Sequence, residues 1–423
     1  MVNFYLNLFI GICIALIGWG LMRPERIYQC PFIMGTIFIS FIVPQAIALV
    51  ETPGAASSEA IERVLLMCCL CAGMCWLGDR SKPDLKLLKK LSIPLNERKL
   101  RRGAIVLIFI GYFFTFLLSR TTIQFAANSN WTGPATIYLF FTKVLYIALA
   151  VMALLALKKP TKINIILAII AGYPIVQNAI LIGRRQPTFT FFIILGISAF
   201  YIRRILPPRF LTLGLIVAAA YIIPLLGQLR GDFWLAILNG NVSNINFVQG
   251  LNRVLEGDIL ELRNAAMLMD AAVKTGQYGY GTGFWDAIVF QYVPGQLLGY
   301  GFKNSLQFHL THFDTNSLLG YSIPNGSTTT GIGDSFLEFG YFGCLIFYFV
   351  AYFFKHVWIS ALYHNSLLSQ ILYASSCSSM MVGVTHGNQR FFQEIIFQLI
   401  FVGFLVYSSR SKRLSRTALA NLQ

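Results

Sequence analysis

The sequence predicts an all-α polytopic membrane protein with about eleven transmembrane helices and one large loop outside the bilayer. Three observations predict it. Of 423 residues, 56% are hydrophobic and only 12% are charged, a balance characteristic of chains that live in lipid. Apolar runs long enough to cross a hydrocarbon core about 30 Å thick recur along most of the chain. Between two of them lies a stretch of 106 residues, 230–335, that holds 15 of the 35 glycines.

The runs fall near 3–21, 31–50, 62–78, 104–119, 135–157, 163–182, 187–202, 210–229, 336–354, 364–384 and 391–409. The run at 187–202 is short, and the run at 364–384 carries Ser366, Ser369, Ser375, Ser376, Ser378 and Ser379, which weakens its apolar signal. The chain therefore divides into 1–229 with eight spans, the loop 230–335, 336–409 with three spans, and a basic tail 410–423. No basic residue precedes Arg23 and no small-residue cleavage pattern follows the first run, so that run is expected as a retained helix and not a signal peptide.

Orientation follows from Lys and Arg, which are retained on the cytoplasmic side of short loops. The connections near 22–30, 79–103, 158–162, 203–209 and 355–363, together with the tail, hold 22 Lys and Arg. The short connections on the other side hold 4. The amino terminus and the large loop are thus expected outside the cytoplasm and the tail inside. The formal net charge of +16 reflects that asymmetry, and the basic stretch 82–102 reads as an anchor for anionic membrane lipids. Nucleic acid is not implied as a partner.

Four of the eight cysteines, Cys68, Cys69, Cys71 and Cys75, share one apolar run, where a thiol is a small hydrophobe. None lies in an outer loop, so the large loop has to hold itself together without disulfides. Within it Val248, Leu251, Leu255, Ile259, Leu262, Ala266, Met269 and Val273 recur at spacings of three and four, one face of an amphipathic helix. Arg253, Glu256, Asp258, Glu261, Arg263 and Asp270 take other faces, so the helix is expected to lie over the membrane domain as a lid or wall. The following stretch, 277–285, mixes glycine with Tyr278, Tyr280, Phe284 and Trp285. It suits stacking on sugar rings, or equally an interfacial aromatic belt.

Arg184 and Arg185 sit on a tight outer turn, Gly183-Arg184-Arg185-Gln186-Pro187. Guanidinium forks match phosphate oxygens and stay charged at any working pH. Arg230, beside Gly231, is a third such group on the same side, and Arg390 in Thr385-His386-Gly387-Asn388-Gln389-Arg390 is a fourth candidate. Together they are candidates to clamp a diphosphate; the alternative is that they snorkel to lipid headgroups. Acid–base chemistry needs carboxylates or histidines. His309 and His312 are spaced to share a helical face, and no metal site is expected because further ligands are missing. Glu338 lies about one turn inside the ninth run, where an unpaired charge costs on the order of 2.5–3.5 kcal/mol. It is expected to have a partner, either a catalytic role or a salt bridge to one of the arginines.

The segment Gly331-Ile332-Gly333-Asp334-Ser335-Phe336-Leu337-Glu338-Phe339-Gly340-Tyr341-Phe342-Gly343, leading out of the large loop into a span, resembles the corresponding stretch of Wzy-type O-antigen polymerases and the related O-antigen ligases. The resemblance implies a C-type membrane glycosyltransferase of the bacterial inner membrane that works without cofactor or metal on undecaprenyl-diphosphate-linked oligosaccharides at the periplasmic face. It also implies a chain-length regulator as partner. Arg184 or Arg185 and Arg230 would take the diphosphate-binding places. The ligases pair such arginines with a histidine near the end of the loop, where this chain has Asp334, which favours polymerase over ligase and leaves the general base among Glu338, His309, His312 and Asp334. The rival classes are a ligase, a lipid-oligosaccharide flippase, and a transporter, for which Lys143 and the spans containing Pro174 and Pro224 are the sequence support.

Overall fold

A computed structural model of the chain describes residues 1–122, 124–125, 131–180, 185–214, 261–324 and 327–410. Its elements are helices α1 (Val2–Met22), α2 (Cys30–Ile37), α3 (Val43–Glu51), α4 (Ser58–Arg80), α5 (Leu85–Leu91) and α6 (Glu97–Ser119). A two-residue antiparallel ladder, β1 (Gln124–Phe125) with β2 (Trp131–Thr132), follows. Next come α7 (Pro134–Thr142), α8 (Val144–Lys158), α9 (Lys162–Ile180) and α10 (Arg185–Arg203). The loop contributes α11 (Glu261–Thr275), α12 (Thr282–Tyr292), α13 (Gly295–Leu298), α14 (Tyr300–Ser305), α15 (Thr315–Leu319) and α16 (Thr330–Phe339). The chain closes with α17 (Leu345–Tyr363), α18 (Leu367–His386) and α19 (Asn388–Ser409).

Eight described helices are long and apolar enough to cross a membrane, α2–α3, α7–α8 and α16–α17 each counting as one continuous unit. This is the pattern of a polytopic membrane protein. Two further expected runs are occupied by α9 and α10, and most of the run at 210–229 lies outside the described residues. The helices start and stop for local reasons. Ser57, Asp84, Asn96 and Ser366 cap α4, α5, α6 and α18 through their side-chain oxygens. Pro174 interrupts the ladder inside α9, and the freed Ile170 carbonyl accepts the Tyr112 hydroxyl of α6 at 2.8 Å.

The core is centred on α18, buried without a break from Leu368 to Thr385. Its serines suit that position because small side chains allow close helix approach in lipid. Their hydroxyls are satisfied nearby: Ser376 donates to the Leu372 carbonyl, Ser369 to Ser360 Oγ at 2.9 Å and Ser379 to Glu394 at 2.9 Å. By contrast, α6 and α9 expose Phe109, Phe113, Phe116, Ile166 and Ile169, as expected of a lipid-facing rim. The loop elements gather at the bundle end where α4 and α19 begin. The other end holds most of the short-loop cations, with Lys158 and Lys159 both bonded to Glu97 at 2.8 Å.

Two expectations are corrected. The described part of the amphipathic loop helix, α11, does not keep its charges on an outer face. Asp270 turns inward to Arg63 of α4 at 3.0 Å, Asn264 is fully buried against Tyr321 and Ser327, and Arg263 reaches the Thr52 carbonyl at 2.7 Å. The helix is a wall bonded on several sides, because tertiary partners supply the polar groups that water was expected to supply. Its expected first half lies outside the described residues. Secondly, the ninth run does not begin at 336: α16 spans the expected boundary, ends at Gly340 with φ +57°, and passes through a 3-10 turn into α17.

Candidate functional site

Asp334 and Glu338 lie four residues apart on α16, and therefore on one face. Both are buried. The helix is wedged between α11 and the start of α19, where Asn388 Nδ2 donates to the Gly331 carbonyl at 2.8 Å and to Ser335 Oγ at 2.6 Å. Asp334 Oδ1 accepts the Thr329 hydroxyl at 2.5 Å, and Oδ2 accepts the Gln389 N–H at 3.5 Å. The carboxylate thus meets the positive end of α19. The turn into that helix is made by Gly387 at φ +113°, where a Cβ would strike Asp334.

Glu338 performs the same service for α12. Its Oε2 accepts N–H groups of Gly281 at 2.7 Å and Gly283 at 3.4 Å. Tyr280 and Gly281 take successive positive φ values, +51° and +93°, which aim those amides inward. The same turn closes the end of α16, since Gly279 and Tyr280 donate to the Leu337 and Glu338 carbonyls, both at 2.9 Å. Among the described residues Glu338 forms no ion pair and backbone amides hold its carboxylate; Arg184 and Arg230, two of the arginine partners considered from sequence, lie outside the described residues. The other Glu338 oxygen, Oε1, is buried with no hydrogen-bond partner among the described residues. A Cβ on Gly283 would meet both this oxygen and Gln389 Nε2, so the three groups border one small space.

His309 and His312 do not share a helical face. They flank a turn closed by His312 N–H to the His309 carbonyl at 3.3 Å, with His309 at φ +56° and the rings 4.9 Å apart. Both histidines are exposed. Asp286, a buried carboxylate on α12, hangs the turn in place by accepting the Phe308 and His309 N–H groups at 2.8 Å each. Partial burial, and then the neighbouring His309, hold the His312 imidazole below its ordinary value against the opposing pull of Asp286. Thr311 of the same turn lies beside Gly279, which brings the histidine turn next to Glu338. On the surface nearby, Tyr280 and Trp285 are exposed.

Of the four arginines, Arg184 and Arg230 lie outside the described residues, and Arg185 is described only as the first residue of α10. Arg390 is exposed in the first turn of α19. One turn further on, Glu394 Oε1 accepts Lys143 Nζ at 3.1 Å and Gln186 Nε2 at 2.9 Å. The start of α10 is therefore tied to the helix that carries Arg390. Among the described residues no three His, Cys, Asp or Glu side chains converge as metal ligands would.

Sequence reasoning missed Asp286, Gln389, Gln186 and Glu394. The one available signal was a lone carboxylate in an apolar run, present at both Asp286 and Glu394. No protein-family model, curated protein or solved structure compared with this chain matches it.

Proposed function

We propose that the chain is a membrane glycosyltransferase that polymerises polyprenyl-diphosphate-linked oligosaccharide repeat units, in the manner of the O-antigen polymerases its 331–343 segment resembles. The observation that carries the reading is the buried Oε1 of Glu338, without a partner among the described residues, next to the start of α19 with Arg390. In this reading Glu338 takes the proton from the acceptor hydroxyl, and the new bond forms from that oxygen to the anomeric carbon of the growing chain. The bond from that carbon to the diphosphate breaks, and polyprenyl diphosphate leaves with its electron pair, held by Arg390 and by the arginines at 184, 185 and 230. Asp334 has both oxygens engaged, so its role is to position the α16–α19 contact. Tyr280 and Trp285 offer exposed ring faces for sugars.

The bias of Lys and Arg toward the opposite end supports a site outside the cytoplasm. A second reading, transport, draws on the Lys143–Glu394 pair inside the bundle. The deciding experiment incubates purified protein, with EDTA present, with a polyprenyl-diphosphate-linked repeat unit and resolves the products by length. A ladder that is lost in Glu338→Gln supports the polymerase. Transfer of a single unit to a lipid A core supports a ligase. Tracer uptake into vesicles without any change in glycan length supports transport.

A further inference from the structure

At the end of the bundle opposite the carboxylates, the structure forms an open cleft of about 900 Å³ lined by five cations: Arg23, Arg26, Arg80, Arg204 and Lys355. They come from the turn after α1, the end of α4, the end of α10 and the last half of α17, so four separate stretches of chain aim positive charge at one space. Glu25 and Asp79 also line it, leaving three positive charges in excess. Among the described residues none of the five cations forms an ion pair with either carboxylate.

Asp79 faces Lys355, Arg80 and Arg26 without a direct ion pair, so the cations are only partly neutralised. Arg26 lies 4.6 Å from the centre of the Trp19 ring and donates to the Trp19 carbonyl at 3.3 Å. Arg80 lies 4.4 Å from the Trp76 ring and 5.3 Å from Trp19, and the two indoles brace each other edge to face at 5.1 Å. Arg204 stands 5.5 Å from Phe200, at a positive φ of +55°. Aromatic faces orient a guanidinium while leaving its N–H fork open for an anion. Like charges so close repel each other: burial first, and then Arg23 and Arg80, act against the charge on Arg26, while Glu25 and Asp79 favour it. A preformed cluster of this kind is relieved by a ligand that carries several negative charges on a small group. The volume falls in the range of small-molecule sites, roughly 300–1,000 Å³, and Leu206 and Leu362 supply an apolar edge.

We propose that this cleft is a binding site for a multiply charged phosphate group, drawn either from the headgroup of an anionic membrane lipid or from free phosphate or pyrophosphate. Basic pockets between helices near the membrane surface take lipid headgroups by this chemistry. The site is separate from the carboxylate site and does not depend on the activity proposed for it.

The test uses the full chain in mild detergent, with equilibrium binding of two probes, a short-chain phosphatidic acid and pyrophosphate, and with short-chain phosphatidylcholine as the neutral comparison. Binding of phosphatidic acid alone assigns the site to lipid, and binding of pyrophosphate alone assigns it to a soluble anion. Where both bind, they should compete. The double variant Arg26→Gln/Arg80→Gln should weaken binding at least tenfold, and Arg204→Gln, whose one described contact is with Phe200, should weaken it several-fold without altering the elution volume of the protein. Arg98→Gln/Arg101→Gln, in the first turns of α6 and not among the lining residues, should leave it unchanged. Binding of neither probe, or equal loss in the Arg98/Arg101 pair, overturns the proposal.

Discussion

Asp334 and Glu338 stand one turn apart on α16, and each receives backbone N–H groups from the start of a different helix: α19 at Asp334 and α12 at Glu338. One short helix thereby fastens the extramembrane loop to the membrane bundle through two carboxylates. The difference between them lies in their second oxygens. Asp334 has both engaged, whereas Glu338 keeps one without a partner among the described residues.

Glu338→Gln should separate chemistry from structure. The amide keeps an oxygen for the Gly281 N–H but does not take a proton from a hydroxyl, so polymer formation should fall roughly 10²- to 10⁴-fold with the thermal midpoint little changed. Glu338→Ala removes the acceptor and strands buried amides, which costs about 1–3 kcal/mol and should lower the midpoint as well. Equal polymer yields from Glu338→Gln and the parent protein would sink the assignment of Glu338 as base.

Gly283→Ala should act on the same carboxylate through space. An added methyl collides with Glu338 Oε1 and crowds Gln389, so overpacking of about 1–3 kcal/mol is expected. Gly301→Ala is the matched comparison, since nothing lies within 4 Å of its Cβ direction. Thermal unfolding of the two variants in one detergent checks the contrast, and a neutral Gly283→Ala contradicts the packing described.

Asp270 should give the loop an acid-sensitive anchor. Burial pushes its carboxyl up, but Lys274 and Arg63 outweigh that and hold it below the ordinary carboxylate value. A carboxyl depressed in the folded state contributes stability above its unfolded value, about 3.9, and that contribution disappears as pH falls through the folded value. Proteolysis of the loop should therefore accelerate below about pH 4. In Asp270→Asn the acid limb should flatten, with the loop already weaker at neutral pH; an unchanged pH profile argues against this anchor.

Lys143 and Glu394 should behave as a buried pair. Lys143→Met leaves the Glu394 carboxylate with only Gln186 and Ser379, and an uncompensated charge costs about 3–5 kcal/mol. The double variant Lys143→Met/Glu394→Leu should recover most of that stability. Recovery of stability together with polymer formation marks the pair as structural, whereas recovery of stability without activity gives it a part in function.

The polytopic character was legible in the chain itself because lipid imposes a local requirement: each crossing helix needs a continuous apolar run, and eight described helices meet it. The candidate site was legible in part for a related reason, since a carboxylate such as Glu338 in an apolar run stands out by its cost. Its environment was not legible. The amides of Gly281 and Gly283 reach Glu338 from a turn more than fifty positions away, which no local pattern announces. Helical periodicity placed His309 and His312 on one face, but Asp286 holds that segment in a turn instead. Likewise Lys143 meets Glu394 across 251 positions, and the five cations around the opposite cleft come from four separate stretches. Sequence by itself determined which segments enter the membrane and which residue types are costly there; only the tertiary structure decided which of them meet, because hydrogen bonds and charge pairs depend on distances of a few ångströms that local patterns do not encode.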